Sequence, residues 1–394
     1  MHPETRRILR WITLLCVLAL GGGIAVLSFG RAHDRALVTR EAQAATEAGF
    51  DVTLEPAGTV HFAHVPRRIL TVDANYNDML VALDQEARQV ATGYQGNFYD
   101  GFYAQLPGLR VNLDQQKLKY IALGGMDKET LYAIGAEVHH VDPVQLLNTS
   151  RWKPNDIEEI AHNVGPFFAN RYSRENSLPG NQDYRFYTLW ELSERVGEVY
   201  QAPARIQALE AVHREMVTRI QARLPPVEQR PSVGLVMYAK GKFTPFSLDR
   251  QGFGTAHYRA VGARDAFAGI KHLTYSDGGA AANLDVEGLL AIDPDILIMP
   301  FAVYPSYRAR YEELLALTSD PLVGRLKAYR DHKVHPGGTP LQGPVFLLFQ
   351  TEMTAKQIYP EIFGAFHADH RYAEAEQLFD RVRVAEILKE TSAI

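Results

Sequence analysis

The phrase "MDKETLYAIGAEVHHV" at residues 126–141 returns as "LDVEGLLAIDPDILIM" at residues 284–299, an offset of 158 residues. Five positions coincide: Asp127 with Asp285, Glu129 with Glu287, Leu131 with Leu289, Ala133 with Ala291 and Ile134 with Ile292. Each copy reads as a short helix followed by a strand. In the first, Glu129 to Ile134 makes the helix and Val138 to Val141 the strand. In the second, Asp293-Pro294-Asp295 breaks the helix and "ILIM" is a wholly apolar strand, the kind found in a parallel sheet covered on both faces. A chain that repeats one helix–strand unit at this distance is expected to build two similar α/β lobes.

The segment between the copies supplies the connection. "APARIQALEAVHREMVTRIQARLPP" has Pro203 at a helix start and apolar residues every three or four positions from Ile206 through Leu224, and Pro225-Pro226 ends it. A helix of that length, ~33 Å, is too long to be a simple loop. Around it, "DVTLEPAGTVHFAHV" reads as a β-hairpin turned at Pro56-Ala57-Gly58. "PRRILTVDANYNDMLVALDQ" reads as strand, loop ("DANYND") and helix, "ARQVATGY" as a strand, and "RPSVGLVMYAKGKF" as strand then loop. A helical tail is expected from Ala373 to Lys389. The division that follows is a signal or anchor segment at 1–35, an N-terminal lobe at 36–187, a connecting helical segment at 188–224 and a C-terminal lobe at 225–394.

The 394 residues suffice for about two domains at ~150 residues each. The net charge of −5 gives no support to nucleic-acid binding. With Cys16 the single cysteine, no intrachain disulfide and no cysteine-based zinc site can form. At the N-terminus Arg6, Arg7 and Arg10 precede an uncharged run from Trp11 to Gly30, ~30 Å as a helix and enough to cross a bilayer. The basic flank places the rest of the chain outside the cytoplasm. The run reads as an anchor, or as a signal helix cut after Gly30 or Ala32; "TRRILR" resembles the twin-arginine export signal.

Four stretches, "PRRILTVDANYNDMLVALDQEARQVATGY", "LDVEGLLAIDPDILIM", "DPLVGRLKAYRDHKVHPGG" and "AKQIYPEIF", together resemble the ferric-siderophore, heme and cobalamin class of substrate-binding proteins of ABC importers. The resemblance runs from about Pro66 to Phe363. It implies two Rossmann-like lobes with central, mostly parallel sheets, bridged by one long helix, with the ligand between the lobes. It implies that Glu129 and Glu287 each meet an arginine of a permease dimer, one acidic contact per lobe. By themselves the two residues also fit solvated glutamates in the first turn of a helix, where the dipole favours them.

Ligands of open α/β sheets sit off the carboxyl ends of the strands. That places Tyr76, Tyr94, Tyr238, Lys242, Phe243 and Tyr304 near a cleft, with Lys240, Arg171 and Arg308 as cations for an anionic ligand. Heme-binding members usually carry a tyrosine shortly before the first-lobe glutamate. Here that loop reads Ala122-Leu123-Gly124-Gly125-Met126, so heme is less favoured and a ferric siderophore or related metal chelate is the first expectation, with a heme or cobalamin binder of the same class as the alternative. His139 and His140 are adjacent on a strand and point to opposite faces, which argues against a shared metal. No cofactor is expected. The chain has no G-x-S-x-G elbow, P-loop or G-x-G-x-x-G fingerprint, and a non-catalytic binding protein is expected rather than an exported α/β enzyme. A membrane-anchored sensor that binds the same ligand is the other alternative.

Overall fold

The computed structural model describes residues 49–93, 100–114, 117–178, 184–270, 283–367 and 371–390. The apolar run at 11–30 and Tyr94 lie outside the described residues. Among the described residues no helix is long and apolar enough to cross a membrane. The described residues divide into two compact units, residues 49–51 with 61–64 and residues 52–60 with 65–390. In the first, His61 Nδ1 lies 2.7 Å from Asp51 Oδ1 and Phe50 stacks on Phe62. Strands β1 (Phe50–Leu54) and β2 (Gly58–Phe62) form the expected two-stranded sheet.

The second unit contains two sheets. In the first lobe β3 (Ile69–Thr71), β4 (Gln89–Thr92), β5 (Lys119–Tyr120) and β6 (Val138–His140) lie in the order β5-β4-β3-β6, all parallel. In the second lobe β7 (Ser232–Ala239), β8 (Lys242–Phe246), β9 (Arg264–Asp265), β10 (Ile296–Met299) and β11 (Val334–Pro336) form a sheet in the order β11-β10-β7-β8, with β9 beside β7. Only the β7–β8 pairing is antiparallel. That hairpin corrects the expected loop after β7: Lys240 and Gly241 take φ of 50° and 76°, and Lys242 starts a new strand. β10 is buried at every residue, as its unbroken apolar run requires.

The helices that position the candidate sites are α1 (Ala74–Ala82), α2 (Lys128–Ile134), α3 (Leu189–Val199), α4 (Pro203–Gln221), α5 (Val286–Ile292), α6 (Arg308–Ala316), α7 (Pro344–Ile358) and α8 (Arg381–Lys389). α4 is the long connection, ~28 Å over 19 residues. It starts at Pro203, and Ile206, Leu209, Val212, Met216 and Ile220 are buried on one stripe. Each such side chain contributes about 1.5–3 kcal/mol relative to exposure. Leu224, expected in the helix, falls just past its end. α4 packs on α3, α7 and α8.

Two elements depart from the sequence reading. "DANYND" is not a loop: Asp73 is the N-cap of α1 and all nine helical residues are buried. Burial on every side erases the amphipathic stripe that marks a surface helix. The tail is not one helix either. A single 3₁₀ turn at Glu374–Glu376 is followed by a break, and Asp380 then caps α8 by accepting from Arg383 N at 2.9 Å.

The segment after β11 does not stay within the second lobe. α7 is buried along its whole length and touches α1 of the first lobe as well as the helix Ala256–Ala260 of the second. At its start Val345 N and Phe346 N donate to Asp78 Oδ2 of α1 at 3.1 and 3.0 Å. Gly343, the N-cap position, has no side chain to do this, and a Cβ there would lie 2.6 Å from Asp78 Oδ2. A carboxylate from one lobe therefore caps a helix that begins 266 residues later in the sequence.

Candidate functional site

The repeated phrase folds into matching units. Asp127 and Asp285 are the N-caps of α2 and α5 and accept from Thr130 N at 2.8 Å and Gly288 N at 2.9 Å. Both helices run seven residues and end in a left-handed residue, Gly135 at φ 58° and Asp293 at φ 46°. Glu129 and Glu287 therefore occupy the same place, the second residue of the helix, and both are exposed. Their carboxylates project from equivalent first turns of the two lobes.

The carboxyl ends of the first-lobe strands gather charge. Asp73 follows β3, Asp142 follows β6, and Arg171 and Arg174 follow the segment that bridges to β6 at Phe167. Arg171 Nη1 and Arg174 Nη1 both donate to Asp73 Oδ1, at 2.7 and 3.2 Å. Arg174 Nη2 also donates to Glu175 at 3.0 Å. Burial alone would push the Asp73 carboxyl up; the two guanidiniums outweigh it and hold the group below its ordinary value. Among the described residues no cation lies so close to Asp142. It accepts from Arg171 N, Val144 N and Tyr184 Oη, and burial raises its pKa.

Arg174 is buried, whereas the Arg171 side chain is 26% exposed and is the accessible cation of the pair. The lobes meet here: a Cβ on Gly252 of the second lobe would lie 2.2 Å from Arg174 O. Beside this contact is a cavity of about 30 Å³, walled by Arg174, Glu175, Phe246 and Arg250, room for a water or two and no more.

The remaining expected contacts divide. Tyr76 is interior: its Oη accepts from Asn170 N at 2.7 Å, and its ring stacks on His140 with 9° between the planes. Tyr238 and Phe243 belong to the second-lobe core, with ring centroids 5.2 Å apart. Tyr76 lies in α1 just past β3, whereas Tyr238 and Phe243 lie within β7 and β8; all three side chains point into packing rather than into a cleft. Lys242 is exposed on β8, and neither cavity described here touches it. His139 and His140 are buried and each is hydrogen-bonded, His140 between Phe168 O and Tyr200 Oη. Burial lowers both to about 4 and keeps them neutral. Among the described residues no group of three or more His, Cys, Asp or Glu could hold a metal ion.

Tyr304, by contrast, lines a cavity of about 360 Å³, together with Arg308. The first lobe contributes Phe102 and Gln105 to its wall, and α7 contributes Phe349, Glu352 and Met353. Phe366, His367, Tyr372 and Arg381 come from the C-terminal segment. Sequence reading missed these last residues because nothing local marks a segment that folds back over another wall.

No family model and no curated protein matches the sequence. Solved structures do match. A periplasmic binding protein from Veillonella parvula aligns over 81% of this chain and 94% of its own, at 14% identity and a TM-score of 0.54. The chain has the periplasmic-binding-protein fold. The siderophore-binding protein BauB, solved with two acinetobactin molecules and ferric iron, aligns over 79% and 98% at 17% identity and a TM-score of 0.53. PiuA of Streptococcus pneumoniae, an iron-uptake ABC transporter substrate-binding protein, gives 79%, 98%, 13% and 0.53.

Proposed function

We propose that this chain is an extracytoplasmic substrate-binding protein that captures a ferric siderophore or a similar metal chelate and presents it to an ABC importer. The observation that carries the reading is the pair of equivalent helices α2 and α5, each with a capped first turn and one exposed glutamate in the same place. Two separated acidic contacts on one body set its orientation over a two-subunit permease and steer encounter without demanding high affinity. The binding roles named for BauB and PiuA agree with this reading. No step of it needs catalysis.

The chelate's place is the face off the carboxyl ends of the first-lobe strands, where Arg171 offers a part-exposed guanidinium to an anion. Tyr94, two residues past β4 in sequence, is a further candidate contact. Tyr76 supports that face from within, stacked on His140. The basic, apolar N-terminus would hold the protein at the outer face of the cytoplasmic membrane, or direct its export.

The test is a titration of the full-length chain with ferric siderophores, heme and cobalamin, alongside uptake in cells. Reversing both charges, Glu129→Arg with Glu287→Arg, is expected to leave chelate binding in solution unchanged and to abolish uptake. Uptake at the native rate in that variant would remove the docking role and favour a sensor. Failure to bind any of the three ligand classes would remove the chelate reading.

A further inference from the structure

The 360 Å³ cavity is not part of the face assigned to the chelate, and part of its wall lies beyond the region that carries the family resemblance. Phe366, His367, Tyr372 and Arg381 all follow Phe363. Its floor holds an incompletely answered cation. The Arg381 side chain is 4% exposed. Its Nη1 donates to Gln105 Oε1 at 2.8 Å. Its Nη2 reaches Glu352 only at 3.4 Å to either oxygen, well beyond the ~2.7–2.9 Å of a good guanidinium–carboxylate bond. Among the described residues its Nε has no hydrogen-bond partner. The rings of Phe349, Phe379 and Tyr372 lie 5.1, 5.6 and 5.8 Å from its central carbon and hold the guanidinium plane among aromatic faces.

The Nε–Nη2 edge of a guanidinium is a fork that matches a carboxylate with two parallel hydrogen bonds. Here that edge is unused at Nε and weakly used at Nη2. At the mouth Arg308 and Glu312 answer each other at 3.3 Å. At the floor Arg381 acts on Glu352, and Lys356, outside the cavity wall, is acted on by both Glu352 and Glu376. The rest of the wall, including Phe102, Tyr304, Phe349 and Met353, is apolar or aromatic. An apolar site with one convergent charged group is the usual form of a small-molecule pocket. At interior packing density, 360 Å³ holds about fifteen non-hydrogen atoms.

We propose that this cavity binds a small aromatic carboxylate, with the acid group on the Nε edge of Arg381 and the ring among Tyr304, Phe349 and Phe366. The site rests on the cavity alone and stands or falls separately from the chelate reading. Because Phe102 and Gln105 belong to the first lobe and Tyr304 and Arg308 to the second, an occupant would touch both.

The test uses the full-length chain and 2-naphthoate as the probe, followed by calorimetry and ligand-observed NMR. Saturable binding with a sub-millimolar Kd is expected, and 2-naphthamide, the same shape without the charge, should bind at least tenfold more weakly. Removing both buried charges together, Arg381→Met with Glu352→Gln, avoids stranding either one and should weaken naphthoate at least tenfold. Absence of saturable naphthoate binding to the folded native chain would overturn the proposal. So would equal affinity for the amide, or naphthoate affinity unchanged in a folded double variant.

Discussion

Asp78 is the side chain on which the two lobes converge, and its removal is the sharpest test of how they are joined. The carboxyl is buried in α1, accepts from Val345 N and Phe346 N at the start of α7, and is hydrogen-bonded by Tyr103 Oη. Asp78→Ala strands two helix N-terminal amides and a phenol in the interior. The orphaned phenol costs about 1–3 kcal/mol and the lost N-cap about 0.5–2, so the sum is roughly 1.5–5 kcal/mol. That is a large share of the ~5–15 kcal/mol that holds a domain folded.

A second signature comes from pH. Burial, acting against the hydrogen bonds, raises the Asp78 carboxyl from 3.8 to about 7. The folded pKa lies above the unfolded one, so between these values the native state keeps a proton that the unfolded chain has lost. The group's contribution is complete below about pH 4 and is lost as pH rises through 7, a swing of roughly 4 kcal/mol. Asp78→Asn carries no titrating proton. Its cost relative to the native chain should therefore shrink as pH rises from 5 to 8. Urea unfolding followed by far-UV circular dichroism at those two pH values measures both effects. An alanine variant within 1 kcal/mol of native, or an asparagine cost equal at pH 5 and pH 8, would refute the reasoning.

Gly343→Ala would put a Cβ 2.6 Å from Asp78 Oδ2 and 2.9 Å from Asn75 O, and a loss of about 2 kcal/mol or more is expected in a thermal melt. Arg174→Met leaves Asp73 buried with Arg171 as its one remaining guanidinium partner, and should destabilise by about 3–5 kcal/mol in urea. Because Asp73 is held below its ordinary value, its stabilisation is present above pH 3.8 and fades as pH falls below that. The Arg174 variant should accordingly acid-unfold at a higher pH than the native chain. His140 is lowered to about 4 from 6.5 by burial, so its contribution is full above 6.5 and is lost as pH falls toward 4. His140→Gln should make stability less steep in pH across that window, as read from chemical unfolding at pH 4.5, 5.5 and 6.5.

The sequence alone carried whatever is local. Asp127 and Asp285 three residues ahead of an amide they cap, Pro203 at a helix start, the stripe from Ile206 to Ile220 and the apolar run of β10 all act over one turn or one strand, so their pattern is readable along the chain. The tertiary structure decided the rest, because those choices depend on neighbours far away in sequence. Tyr76 turned inward because His140 and the Asn170 amide were there to receive it, and "DANYND" became helix because packing covers it on all sides. Asp78 found its partners 267 and 268 residues later, and Arg381 met Gln105 across 276. A carboxylate or guanidinium in the sequence announces its charge but not which remote backbone or ring will desolvate it. Only the folded contacts fix that, and with it which polar groups are structural and which remain open to a ligand.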